Sequence, residues 1–101
     1  MAFRIDTVSA SGRIVAADDN AAVLVIEFHA RHLNAGPVYV GGSDVAEDGS
    51  REIPPGESFT MNFALPDVGR HAGRVLLSQF YAVVTGDNKL DWSAITRDPA
   101  S

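Results

Sequence analysis

Turn signals break this chain into short runs, and the pattern within the runs is that of strands. Ser11-Gly12, Asp18-Asp19-Asn20, Asn34-Ala35-Gly36-Pro37, Gly41-Gly42, Pro54-Pro55-Gly56 and Thr85-Gly86-Asp87-Asn88 punctuate the sequence. Gly supplies positive φ, Pro presets φ, and Asn and Asp bond their own backbone, so each cluster favours reversal over continuation. Between them the apolar residues alternate rather than recur at helical spacing. Phe3, Ile5 and Thr7 oppose Arg4 and Asp6, which reads as a half-buried strand. A short second run covers Arg13–Ala17. Ala21–His32 is the strongest apolar stretch, with Leu24, Ile26, Phe28 and Ala30 on one face and Val23, Val25, Glu27, His29 and Arg31 on the other. Its β-branched content favours a central strand. Its second face turns polar partway along, as at a surface or an interface.

Val38–Val40 forms a short strand closed by Gly41-Gly42. Ser43–Glu57 reads as one long polar loop, in which Pro55-Gly56 suits the centre of a type II turn. Phe59, Met61 and Phe63 alternate with Thr60, Asn62 and Ala64; Pro66–Gly73 is a loop; Val75–Val84 is apolar. Leu90, Trp92 and Ala94 alternate with Asp91, Ser93 and Ile95, and residues 96–101 read as a loose tail. Six to eight short strands without a helix predict an all-β fold, a compact antiparallel β-sandwich or small β-barrel. With 101 residues, one domain over 1–101 is expected.

Several function classes are excluded or disfavoured by what the chain lacks. There is no cysteine, so no disulfide scaffold and no thiolate metal site. The net charge is −5, with one Lys and seven scattered Arg, which argues against nucleic acid. No window approaches the roughly 20 apolar residues of a membrane-spanning helix, and Met1–Asp6 lacks a signal-peptide core. His29 and His32 would point to opposite sides of a strand and lack a third ligand, and His71 has no assignable partner. Asp44, Glu47 and Asp48 before Gly49 lack the full ligand run of a calcium loop. Ser43 sits in no nucleophile elbow, and Gly41-Gly42 lacks the Lys and helix of a phosphate loop. No enzyme, metal or cofactor is expected.

The stretch Asn34-Ala-Gly-Pro-Val-Tyr-Val-Gly-Gly-Ser-Asp-Val45, then Ile53-Pro-Pro-Gly-Glu-Ser58, then Phe80-Tyr-Ala-Val-Val-Thr-Gly86 with a final strand, covers residues 34–95. It resembles small β-rich modules of tailed-bacteriophage virion proteins, of capsid-decoration or tail-associated type. The resemblance carries no catalytic residue. It implies a non-enzymatic cement protein on the capsid exterior, trimeric and bridging subunits of the major capsid protein to stabilise the head. The alternative it implies is a tail or spike module that recognises host-surface carbohydrate or a receptor through the Ser43–Glu57 loop and Tyr39. Phe3, Ile5, Val8, Tyr39 and Trp92 are the candidates for the interface or the core beside it, with Asp44 in the loop. Tyr and Trp suit interface centres because they bury apolar area and keep a polar handle. Trp92, alternating with Leu90, leans towards the core.

Overall fold

The computed structural model describes residues 2–42, 51–63 and 75–97. Eight strands form there: β1 (Ala2–Val8), β2 (Gly12–Arg13), β3 (Ala22–Ala30), β4 (Val38–Gly41), β5 (Arg51–Ile53), β6 (Ser58–Asn62), β7 (Tyr81–Val83) and β8 (Leu90–Arg97), with a short 3-10 turn at Leu77–Gln79. They make two four-stranded antiparallel sheets, ordered β1-β8-β3-β6 and β2-β7-β4-β5. The fold is all-β. Among the described residues no ladder joins an edge strand of one sheet to an edge strand of the other.

The two orders are the same order. The chain runs in four arms, β1–β2, β3–β4, β5–β6 and β7–β8, and each arm puts one strand into each sheet at the matching position. The structure is thus a four-arm ribbon folded over on itself. Its inner surface holds one core, in which Phe28 of the first sheet meets Phe80 beside β7 at 5.7 Å between ring centroids, tilted by 52°. Such a tilted pair adds electrostatic fit to area burial. Ile26, Val38, Ile53, Leu77 and Leu90 are fully buried around it.

Where the arms turn from one sheet to the other the ladders break, and backbone groups lose their partners. Side chains replace them. Ser11 Oγ accepts from Val84 N–H at 2.9 Å and donates to Val84 C=O at 3.1 Å. Asn34 brackets Lys89, its Nδ2 donating to the carbonyl and its Oδ1 accepting from the N–H, both at 2.9 Å. Buried Asn88 accepts from Ala35 N–H at 2.9 Å. The third arm turns on Pro54–Glu57: Glu57 N–H donates to Pro54 C=O at 3.0 Å and Gly56 holds φ 83°. That is the type II turn expected at Pro55-Gly56.

The structure corrects several expectations. In β1 the apolar side faces out: Phe3 is 68% and Ile5 70% exposed, whereas Arg4 is half-buried. The reason is that β2 spans only Gly12–Arg13, so no second-sheet strand runs beneath most of β1. The 16–20 segment lies there instead, and Arg4 donates to Asp19 at 2.8 Å with its guanidinium 5.9 Å from the Trp92 ring centroid. Val23 is buried, because the ladder shifts register between Val23 and Val25. A bulge of this kind reverses the in–out alternation. The Ser43–Glu57 loop contains β5, and the tail begins later than expected, since Thr96 is buried and Arg97 pairs with Ala22. The Pro66–Gly73 loop and His71 lie outside the described residues.

Two stability predictions follow from the unpaired groups. Asn88→Ala removes the partner of the Ala35 N–H and should cost about 0.5–1.5 kcal/mol in urea unfolding, against little change for Asp87→Ala. Thr96 Oγ1 is buried without a partner. Thr96→Val keeps the shape and removes that polar atom, so it should raise stability by about 1 kcal/mol.

Candidate interaction surface

The outward face of the first sheet is a grid set by strand register. Phe3, Ile95, Val25 and Asn62 form one row across β1, β8, β3 and β6. Ile5, Ser93, Glu27 and Thr60 form the next, and Thr7, Asp91, His29 and Ser58 the third. Period-2 alternation aims all of these away from the core. Phe3, Ile95 and Val25 of the first row, with Ile5 of the second, make an apolar strip, in which Ile95 is 37% exposed and Val25 half-buried. Apolar residues scattered singly on a surface need no explanation, but a contiguous strip on a sheet face does.

The opposite end of the face is polar and tied together. Arg31 Nε donates to Asp91 Oδ2 and its Nη2 to Oδ1, both at 2.9 Å, a two-point clamp. Thr7 Oγ1 donates to Asp91 Oδ1 at 2.6 Å, linking β1 to β8. Arg31's hydrogen bonds hold the Asp91 carboxyl below the usual carboxylate range, and Arg31 in turn is raised above its ordinary value. His29 Nδ1 meets Ser58 Oγ at 2.8 Å.

Asp91, His29 and Ser58 thus stand in one row, a combination that their sequence separation hides. The geometry does not make an acyl-transfer triad of them. Asp91 is committed to Arg31 and Thr7 rather than to His29, and the row lies on an open sheet face that does not exclude water. Among the described residues, no group of three His, Asp or Glu side chains could hold a metal ion.

Of the residues singled out from sequence, Phe3 and Ile5 come together on this face. Val8 and Trp92 are buried in the core at 7% and 2% exposure and present no contact surface. The alternation with Leu90 had already pointed Trp92 inward. Tyr39 is half-buried on the outward side of the second sheet, facing the opposite way, and its hydroxyl donates to Glu52 Oε1 at 3.3 Å. Asp44 lies outside the described residues. Sequence reasoning missed Ile95 and Val25 as members of the strip. Their signal was an apolar residue on the polar side of each strand's alternation.

A second apolar feature is a groove of about 330 Å³ walled by Phe59, Met61 and Phe80. Gly42, Arg51, Phe63 and Val75 also line it.

Because Asp91 is held lower in the folded chain than the unfolded one, it stabilises the fold above the ordinary carboxylate pKa and stops doing so as pH falls through its folded value. Asp91→Asn should therefore flatten the loss of stability below about pH 4, read from thermal melts against pH. A mutant that loses stability with acid as steeply as the parent would show that the clamp contributes nothing there. Comparison with known protein families, with curated proteins and with solved structures finds no match for this chain.

Proposed function

We propose that this chain is a non-enzymatic structural protein of a tailed-phage virion, a cement protein on the capsid exterior that bridges major capsid subunits as a homo-oligomer. The observation that carries this reading is the apolar strip of Phe3, Ile5, Val25 and Ile95, held outward on a sheet whose other face is packed into the core. A surface of this kind suits a partner, because covering it removes apolar area from water without rearranging the fold. The turns and strands shared with phage virion modules supply the class of partner, on the strength of resemblance. The unshielded polar row beside the strip supports a binding role over a reaction centre.

A second reading, a tail or spike module for carbohydrate, draws on one feature. A shallow pocket of about 390 Å³ lies between Pro37, Tyr39 and the Thr85–Asn88 turn. An aromatic ring beside hydroxyl and carboxylate groups is a chemistry that sugars fit.

Counting copies of the chain in purified particles by mass spectrometry separates the two. Copies in the hundreds on the head support cement; a handful at the tail supports recognition; absence from the particle overturns both. Phe3→Ser with Ile5→Ser should leave the melting transition nearly unchanged, because both side chains are exposed. The same pair should abolish pelleting with assembled capsids. Retention of full capsid binding would exclude the strip as the contact.

A further inference from the structure

We propose that β1 is a self-pairing edge, through which two copies of this chain join antiparallel about a two-fold axis at Ile5. This inference rests on strand order and charge pattern and not on the virion reading. It puts a two-fold pair in place of the trimer that the resemblance implies.

The strand is suited to pairing. β1 spans seven residues at the end of the first sheet, longer than the other edge strands β6, β2 and β5. It pairs with β8 in unbroken register from Ala2 to Val8, so no bulge turns its free edge away, and it contains no proline. Proteins that avoid edge pairing commonly use such bulges, prolines or charges. Here the two charges serve the opposite end.

The pattern Phe3-Arg4-Ile5-Asp6-Thr7 places opposite charges symmetrically about Ile5. Running a second copy antiparallel with Ile5 opposite Ile5 brings Arg4 of each copy opposite Asp6 of the other. Opposite-charge cross-strand pairs favour a register, and like charges disfavour the alternatives. Moving the axis by one residue, a slide of two residues between the strands, would set Arg4 opposite itself or Asp6 opposite itself. Asp6 is available: it is exposed, it accepts a hydrogen bond from Thr7 N–H, and no cation among the described residues pairs with it. Arg4 holds Asp19 through Nη1 and keeps further N–H donors for a second carboxylate. On the outward side Ile5 would meet Ile5 at the axis, so the two apolar strips would touch there, offset along the strands because each Phe3 stands opposite Thr7 of the other copy.

The absence of native cysteine makes the axis directly testable. Residues opposite each other in an antiparallel pair lie about 4.5–5.5 Å apart at Cα, inside the disulfide range. The full chain with Ile5→Cys should form a covalent dimer under mild oxidant faster than Phe3→Cys, whose place opposite is Thr7. It should also outpace Leu33→Cys, which is 85% exposed at a distant corner. Sedimentation of the unmodified chain should show a dimer, which Asp6→Lys weakens by about tenfold or more. A monomer or trimer in sedimentation, or Phe3→Cys and Leu33→Cys cross-linking as fast as Ile5→Cys, would overturn the pairing. A dimer that is absent from particles would leave the pairing standing and remove the virion reading; a trimer found on the head would do the reverse.

Discussion

The break in the backbone ladders, where four arms cross from one sheet to the other, is what the rest of this structure depends on. Folding a ribbon over a single core leaves N–H and C=O groups at the crease without strand partners, and burying them unpaired is costly. Ser11, Asn34, Asn88 and the Pro54–Glu57 turn answer that demand at successive corners. Because Asn34 and Asn88 reach between the second and fourth arms, the crease fixes the arms relative to one another. The flat outward face of the first sheet is then rigid from two sides, by the packed core beneath it and by the stitched corners at its end.

Much of this was legible in the sequence, and the divide falls between local and non-local physics. Gly56 had to accept positive φ after Pro55, so the type II turn could be read directly. Ile26, Phe28 and Ala30 declared their shared face by alternation and pack into the core, whereas Leu24, buried as well, is the extra residue of the bulge and Val23 takes the core side in its place. Alternation tells which residues share a face but not which face is covered. For β1 that depends on the length of β2 and on Asp19 standing where Arg4 can reach it, neither of which β1's own pattern records. The bulge at Val23–Val25 is set by the strands on either side of β3 rather than by Val23 itself. β5 was hidden because Arg51-Glu52-Ile53 has one apolar residue, and only its pairing with β4 makes it a strand. The Asp91–His29–Ser58 row depends on three strands meeting in one register, which no local pattern announces.

The outward face divides into an apolar end and a hydrogen-bonded end, and the division has a physical consequence. Arg31, Asp91 and Thr7 satisfy one another, so that end gains little by being covered, and desolvating the clamp would carry a cost. Phe3, Ile5, Ile95 and Val25 have the opposite balance: water contact is unfavourable and no polar group among them must be stripped of partners. A partner on this sheet is therefore directed to the β1 end, and the polar end sets a boundary to the footprint.

Edge pairing at β1 and docking on its outward face make different demands on the same residues, and the two are compatible. Pairing uses the edge of β1 that no described strand occupies, with the charges of Arg4 and Asp6 on the inner side of the sheet, whereas docking uses Phe3 and Ile5 on the outward side. A two-fold axis normal to the sheet would keep both outward faces on the same side and join their apolar strips through Ile5, in a stagger set by Phe3 standing opposite Thr7. Two staggered strips would then face the same way, and two copies would engage one partner surface together. On the cement reading, such a pair would span neighbouring capsid subunits by linking two contacts through one continuous sheet, and the second contact would form at the high effective concentration that linkage provides. The single chain, with its strip at one edge, could make only the first.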